Sequence, residues 1–177
     1  MEMSIDEILN SAFESAKRYE MENGNCAQCV IAAVFDTLGI KNDDIFRAAT
    51  GFADGVGLTG DGHCGALSGG TMAIGYLFGR KKEDFVKHGK MIKSFILSKK
   101  LHDGFTEKYG SCRCNDIQIK LVGRSFNFFD PAEVEAAVKA GLPDKCSTLT
   151  GEVARLTTKI ILEERERESL KGKEGKP

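Results

Sequence analysis

The stretch Gly51–Arg80, GFADGVGLTGDGHCGALSGGTMAIGYLFGR, decides how this chain is read. It opens as a glycine-rich loop, Gly51 to Gly62, and then runs without a charged side chain until Arg80. The eighteen residues from Gly62 to Gly79 are long enough to suggest a membrane span. Six of the eighteen are glycine, however, and His63, Ser68 and Thr71 add polarity, which argues against a span. The segment reads instead as a helix buried on most sides inside a bundle. Leu67, Ile74 and Phe78 share one face, and Ala66, Gly69 and Ala73 form a flat strip that another backbone can approach. Glycine within a helix costs about 0.5–1 kcal/mol relative to alanine, so several in one helix imply tight packing against a neighbour or a ligand.

Helical patterns flank this segment on both sides. Ser4 and Glu7 form a capping box, followed by Ile5, Ile8, Leu9, Ala12, Phe13 and Ala16 at helical spacing. Asn23-Gly24-Asn25 closes that helix, and a second runs from Cys26 to Leu38 with Gly39 as its stop. Asp43 to Thr50 predicts a short helix. Lys81 onward predicts a long amphipathic helix carrying Phe85, Val86, Met91, Ile92, Phe95, Ile96 and Leu97. A break at Tyr109-Gly110-Ser111 precedes Cys112-Arg113-Cys114 and a short helix through Ile117 and Leu121. Asp130-Pro131 starts another helix, and Asp144 is expected to cap the last one. No alternating strand pattern of useful length is present. The expected fold is all-α, a compact bundle of about six to seven helices around the buried glycine-rich helix. One domain is expected over residues 1–168, with a disordered charged tail over 169–177.

The chain has 177 residues, a formal net charge of −1 and no tryptophan, so neither nucleic acid nor a membrane surface is an expected partner. Its first residues, MEMSIDEILN, carry acids where a secretion signal carries bases, so a cytoplasmic location is expected. Six cysteines is many for a reduced compartment, which shifts weight from disulfide staples to metal or redox use.

The cysteine positions sharpen this. Cys26, Cys64, Cys114 and Cys146 each sit at or just before an expected helix N-terminus. Unpaired N–H groups and the positive end of the helix dipole favour an anion there, so these four are expected to be thiolates with lowered pKa values. Two local pairs add to them. Cys26-Ala27-Gln28-Cys29 is a CxxC, and Cys112-Arg113-Cys114 is a CxC. Cys29 is not followed by histidine, so covalent haem attachment is not indicated. Neither pair has a second CxxC at zinc-finger spacing. His88 and His102 read as solvated residues rather than haem ligands. The loop Gly51–Gly62 lacks the Gly-Lys-Ser/Thr ending of a phosphate loop, and Asp54 and Asp61 would repel phosphate. Those acids suit a cation, although flexibility is the expected role of the loop.

These residues resemble the redox-active family named for its cysteine pattern, C_GCAxxG_C_C. The resemblance is carried by Asn25-Cys26-Ala27-Gln28, by Cys64-Gly65-Ala66-Leu67-Ser68-Gly69 through Gly75, by Cys114-Asn115-Asp116-Ile117, and by Lys145-Cys146. It spans Cys26 to Ala154. It implies that Cys26, Cys64, Cys114 and Cys146 are the family cysteines, with Cys29 and Cys112 as extras. In one departure, His63 stands where the family name has glycine before cysteine, and Gly65 falls between Cys64 and Ala66. His63 thereby becomes a candidate extra ligand or proton donor. The family is similar to part of a dihaem cytochrome, which implies a scaffold able to hold a cofactor.

Three readings follow. In the first, Cys26, Cys64, Cys114 and Cys146 are metal ligands for an iron–sulfur cluster or another transition metal serving electron transfer. His63, Cys64, Gly65 and Gly69 then form the cofactor-binding wall. In the second, no cofactor is needed, and Cys26–Cys29 or Cys112–Cys114 are the catalytic attacking and resolving thiols. In the third, the cysteines hold structural zinc or are merely buried, without turnover. Haem is the remaining cofactor option. The expected partners are a redox protein and, through the small-residue helix face, a second copy of the chain. The sequence does not separate an enzyme from an electron carrier.

Overall fold

The computed structural model describes residues 3–174, and among them the fold is all-α. Eight α-helices are present: α1 (Ile5–Asn23), α2 (Cys26–Leu38), α3 (Asp43–Ala48), α4 (Gly65–Phe78), α5 (Ile92–Tyr109), α6 (Cys114–Val122), α7 (Pro131–Lys139) and α8 (Leu142–Glu174). This exceeds the six to seven expected.

The local signals that set the helix ends are visible in the contacts. The Ser4 hydroxyl accepts from the Glu7 amide at 3.3 Å, and the Glu7 carboxylate accepts from the Ser4 amide at 2.7 Å, which fixes the start of α1. Asn25, in the left-handed region at φ 65°, accepts from the Gln28 amide at 3.3 Å and opens α2. Gly39, at φ 66°, closes it. Asp130 accepts from the Ala132 amide at 2.9 Å and starts α7 with Pro131 at its first position.

Helix α4 is the buried centre, packed against α2, α5 and α8. Two adjacent glycines make this crowding workable. A β-carbon on Gly69 would overlap the Ala27 carbonyl of α2. One on Gly70 would stand 2.5 Å from the Thr157 hydroxyl of α8 and 2.8 Å from the Leu101 side chain of α5. The glycines therefore give up helix propensity for close approach on two sides. That loss is recovered in the apolar burial of Leu67, Ile74, Val30, Val34, Leu101, Phe105 and Val153, at about 1.5–3 kcal/mol for each large side chain. The small-residue face is thus filled by α2 within the chain.

Three other expectations change. The long helix from Lys81 is broken into short 3₁₀ turns at Lys82–Asp84 and His88–Met91, and α5 begins only at Ile92. Phe85 and Val86, expected on a buried face, are 68% and 81% exposed. The glycine at position 89 and the exposure of both apolar residues leave that stretch no core to propagate a helix against. The last helix starts at Leu142, ahead of Asp144, with Pro143 tolerated in its first turn because its missing N–H would be unpaired there anyway. Helix α8 also extends through the start of the expected tail to Glu174, while residues 175–177 lie outside the described ones.

Among the described residues, no helix is long and apolar enough to cross a membrane.

Candidate functional site

The N-terminal ends of α2, α4, α6 and α8 converge on a cavity of about 250 Å³. Cys26 is the first residue of α2, Cys64 is the N-cap of α4, Cys114 is the first residue of α6, and Cys146 lies in the opening turns of α8. All four side chains line this one cavity. Four positive helix ends therefore point toward the same space.

Backbone pairing sets the heights of two of these sulfurs. The segments around His63 and Arg113 form a short antiparallel bridge. The Cys64 amide donates to the Cys112 carbonyl at 2.8 Å, and the Cys114 amide donates to the Gly62 carbonyl at 3.0 Å. Cys64 and Cys114 are thereby fixed next to each other although fifty residues apart in sequence. Cys26 is set by a different device. A β-carbon on Gly65 would overlap the Cys26 sulfur and stand 2.7 Å from the Phe52 carbonyl oxygen, so glycine is what lets α2 bring its sulfur to the end of α4.

The glycine loop contributes a carboxylate. Asp54, Gly55, Val56, Gly57 and Leu58 all take positive φ, between 45° and 70°, giving a left-handed turn in which three residues are not glycine. Such a conformation costs about 1–2 kcal/mol per non-glycine residue. The turn is pinned by the Gly60 amide donating to Asp54 and the Gly62 amide donating to Gly55, at 2.8 and 2.9 Å. Its outcome is that Asp54 lines the cavity. Cys114 Sγ donates to Asp54 Oδ1 at 3.0 Å, and Gln118 Nε2 donates to the same oxygen at 2.5 Å. Asp54 Oδ2, Glu20 Oε2 and Thr150 Oγ1 are buried with no hydrogen-bond partner among the described residues, and all three residues line the cavity. The remaining wall is apolar, with Ile117, Phe128, Val134, Val138 and Leu142. No described Lys, Arg or His lines it.

Residues 24–160 match the family described as "Putative redox-active protein (C_GCAxxG_C_C)". The chain belongs to this family. No curated protein and no solved structure matches the chain.

The matched region contains Cys26, Cys64, Cys114 and Cys146, which line one cavity, while Cys29 and Cys112 do not line it. Cys29 is buried one turn along α2 from Cys26 and beside Glu20, where its sulfur donates to the Gly24 carbonyl at 3.0 Å, and it does not line the cavity. Cys112 packs its partly buried side chain against the core and serves the site through its backbone carbonyl. His63 is exposed and outside the cavity, so the role of extra ligand or proton donor has no geometric basis. Gly65 shapes the site by admitting the Cys26 sulfur, and Gly69 serves packing against Ala27. His88 and His102 also lie away from the cavity. Asp61 faces solvent and pairs with Arg113, whereas Asp54 turns inward.

The direction of the thiol shifts differs from the expected one. Burial pushes the Cys26 thiol up to about 12, and it pushes Cys64, Cys114 and Cys146 upward as well, with the neighbouring sulfurs adding repulsion. Burial thus disfavours the charged form of all four sulfurs and opposes the lowering expected from the helix ends. Burial raises the Asp54 carboxyl too, and it lifts Glu20 to about 7.

Sequence reasoning missed Glu20, Gln118, Thr150 and the wall supplied by α7, and it gave Asp54 a lesser role. Glu20 had a readable signal. It continues the buried stripe of Ala12 and Ala16 by one more step of four, an acid on the face that goes inside. Gln118 lies one helical turn after Cys114 on the same face. Asp54 had no periodic signal, because only the left-handed turn aims it.

The donor set can be tested against a metal. Among the described residues, no three His, Cys, Asp or Glu side chains are grouped to hold a single ion. Four sulfurs distributed around a cavity of about 250 Å³, with unpartnered carboxylate oxygens and no base, instead suit a group of several atoms carrying positive charge.

Proposed function

We propose that the protein is an electron-transfer or redox-sensing protein whose four family cysteines hold a polynuclear metal centre, an iron–sulfur cluster being the best match. The observation that carries this reading is the convergence of Cys26, Cys64, Cys114 and Cys146 on one cavity lined by Glu20 and Asp54 and, among the described residues, by no basic side chain. When bound, such a centre supplies one-electron chemistry at a potential set by burial and hydrogen bonding around its sulfurs. The chain's own contribution is physical. Four helix N-termini stabilise the negative charge that the thiolates bring. The apolar wall of Phe128, Val134, Val138 and Leu142 limits water around them. Gly65 and the bridge at His63–Arg113 hold the sulfurs before any ligand arrives.

The alternatives have less support. A structural zinc site requires four donors gathered around one ion at about 2.3 Å, and the described residues are not so grouped. Cofactor-free thiol exchange requires an accessible thiolate. The Cys29 thiol is buried, raised by burial and turned to Gly24, and Cys114 is raised in the same way.

The test is anaerobic purification followed by measurement of iron, zinc and acid-labile sulfide. Iron with sulfide, in stoichiometric amount, supports the reading. Metal-free protein whose thiols pair under mild oxidant supports the thiol alternative, and colourless stoichiometric zinc supports the structural one.

A further inference from the structure

We propose that Asp54 is a ligand of the same centre, an oxygen donor that makes one metal position chemically different from the rest. This inference rests on the four-cysteine reading above and adds a mixed thiolate–carboxylate donor set to it.

Three observations lead to Asp54. The first is its free oxygen. Oδ1 accepts from both Cys114 Sγ and Gln118 Nε2, which fixes the carboxylate plane, while Oδ2 is buried with no hydrogen-bond partner among the described residues. A buried carboxylate oxygen left unpaired costs several times what a made hydrogen bond returns, so the native arrangement implies something that occupies it.

The second is the conformational cost of its placement. Val56 and Leu58 take φ values of 70° and 62°, which glycine adopts freely and branched side chains resist. The left-handed turn is locked to the site itself, because the Asn115 amide donates to Gly60 at 2.9 Å beside the Cys114 bridge. Gly62 links the turn to the cysteines, its amide donating to Gly55 and its carbonyl accepting from the Cys114 amide, so the strained turn is continuous with the site.

The third is charge. Cys114 Sγ lies 3.0 Å from Asp54 Oδ1, within hydrogen-bond reach. Metal binding at that sulfur would release its proton to solvent and leave thiolate and carboxylate in contact. No Lys, Arg or His among the described residues lines the cavity to offset the pair. A metal bound by both groups does so, and Oδ2 is the oxygen available for it. Gln118 is the positioning residue. Its Oε1 accepts from the Phe126 amide at 3.1 Å, which orients its Nε2 toward Asp54.

The experiment uses the full chain reconstituted anaerobically with ⁵⁷Fe and sulfide, read by Mössbauer spectroscopy. The expected result is one iron subsite with the higher isomer shift of oxygen coordination in the wild-type protein. That subsite is lost in Asp54→Asn, which keeps size and the Oδ1 acceptor, and is retained in Asp61→Asn, which changes the solvent-facing acid of the same loop. Wild-type protein with all iron in sulfur coordination overturns the proposal, as does an unchanged spectrum in Asp54→Asn. The wild-type spectrum decides alone if the variant fails to fold. A wild-type protein that takes up no iron at all overturns the four-cysteine reading itself, and this inference with it.

Discussion

The Cys26 sulfur occupies the space that a β-carbon on Gly65 would need. This contact joins the start of α2 to the start of α4, and it ties Cys26 to the glycine that follows Cys64. Gly65→Ala is therefore expected to push the two helix ends apart, at a cost of about 1–3 kcal/mol for overpacking. Iron content after anaerobic purification should fall well below the wild-type value, and chemical denaturation should report the lost stability. Full iron content in Gly65→Ala would mean that Cys26 is not held where the structure has it.

The six cysteines should divide into two classes. Alanine at 26, 64, 114 or 146 removes a cavity sulfur and is expected to abolish or sharply reduce binding of the centre. Alanine at 29 or 112 should leave metal stoichiometry unchanged, because neither side chain reaches the cavity. Cys29→Ala should still lower stability by about 1 kcal/mol, since it leaves a small void and removes a sulfur that bonds Gly24. Metal analysis and denaturation on the same six variants measure both effects.

Glu20 predicts a pH dependence of the metal-free protein. Burial raises its carboxyl from 4.5 to about 7, so the folded state holds a proton that the unfolded state releases above pH 4.5. Its contribution to stability is present in full below that pH and declines as pH rises toward 7, by roughly 3 kcal/mol at most. Glu20→Gln should flatten the stability profile between pH 4.5 and 7 relative to wild type. Equal slopes for the two proteins in urea titrations across that window would contradict the burial of Glu20.

Metal uptake should show the opposite trend. The Cys26 thiol is raised to about 12, with its three partners also raised by burial, so each must give up a proton to bind. Apparent affinity should rise with pH, and proton release should accompany loading. Calorimetry in buffers of different ionisation enthalpy counts those protons.

Much of this molecule was legible in its sequence. The capping box at Ser4 and Glu7, the stop at Gly39 and the Asp130-Pro131 start each act within a few residues, and each appears as read. The glycine-rich segment announced a crowded helix, and Gly69 and Gly70 show which neighbours crowd it. Cys26, Cys64 and Cys114 stand at helix starts as read, whereas Cys146 is the fifth residue of α8 because that helix begins ahead of Asp144. What the sequence did not reveal is long-range or non-periodic. The break before Ile92 depends on Phe85 and Val86 finding no core. Asp54 depends on a left-handed turn that no hydrophobic pattern encodes. The upward shift of the thiols depends on how deeply four separate helices bury their sulfurs together, which the local reading at helix starts could not see.

Relief of the loop strain offers a further check. Val56 is exposed and holds φ 70°. Val56→Gly should stabilise the metal-free protein by about 1 kcal/mol, because glycine adopts that conformation without steric cost. A loss of stability would place the turn's energy in side-chain contacts of Val56 instead.

The central claim is that Cys26, Cys64, Cys114 and Cys146 jointly hold one redox centre. A reductive titration of the anaerobically purified protein, followed by visible absorption and electron paramagnetic resonance, tests it most directly. The account predicts thiolate-to-metal charge-transfer bands that bleach and return reversibly, with a paramagnetic signal that is absent from Cys64→Ala. Protein that is colourless and silent before and after reduction, with all six thiols free, would contradict it.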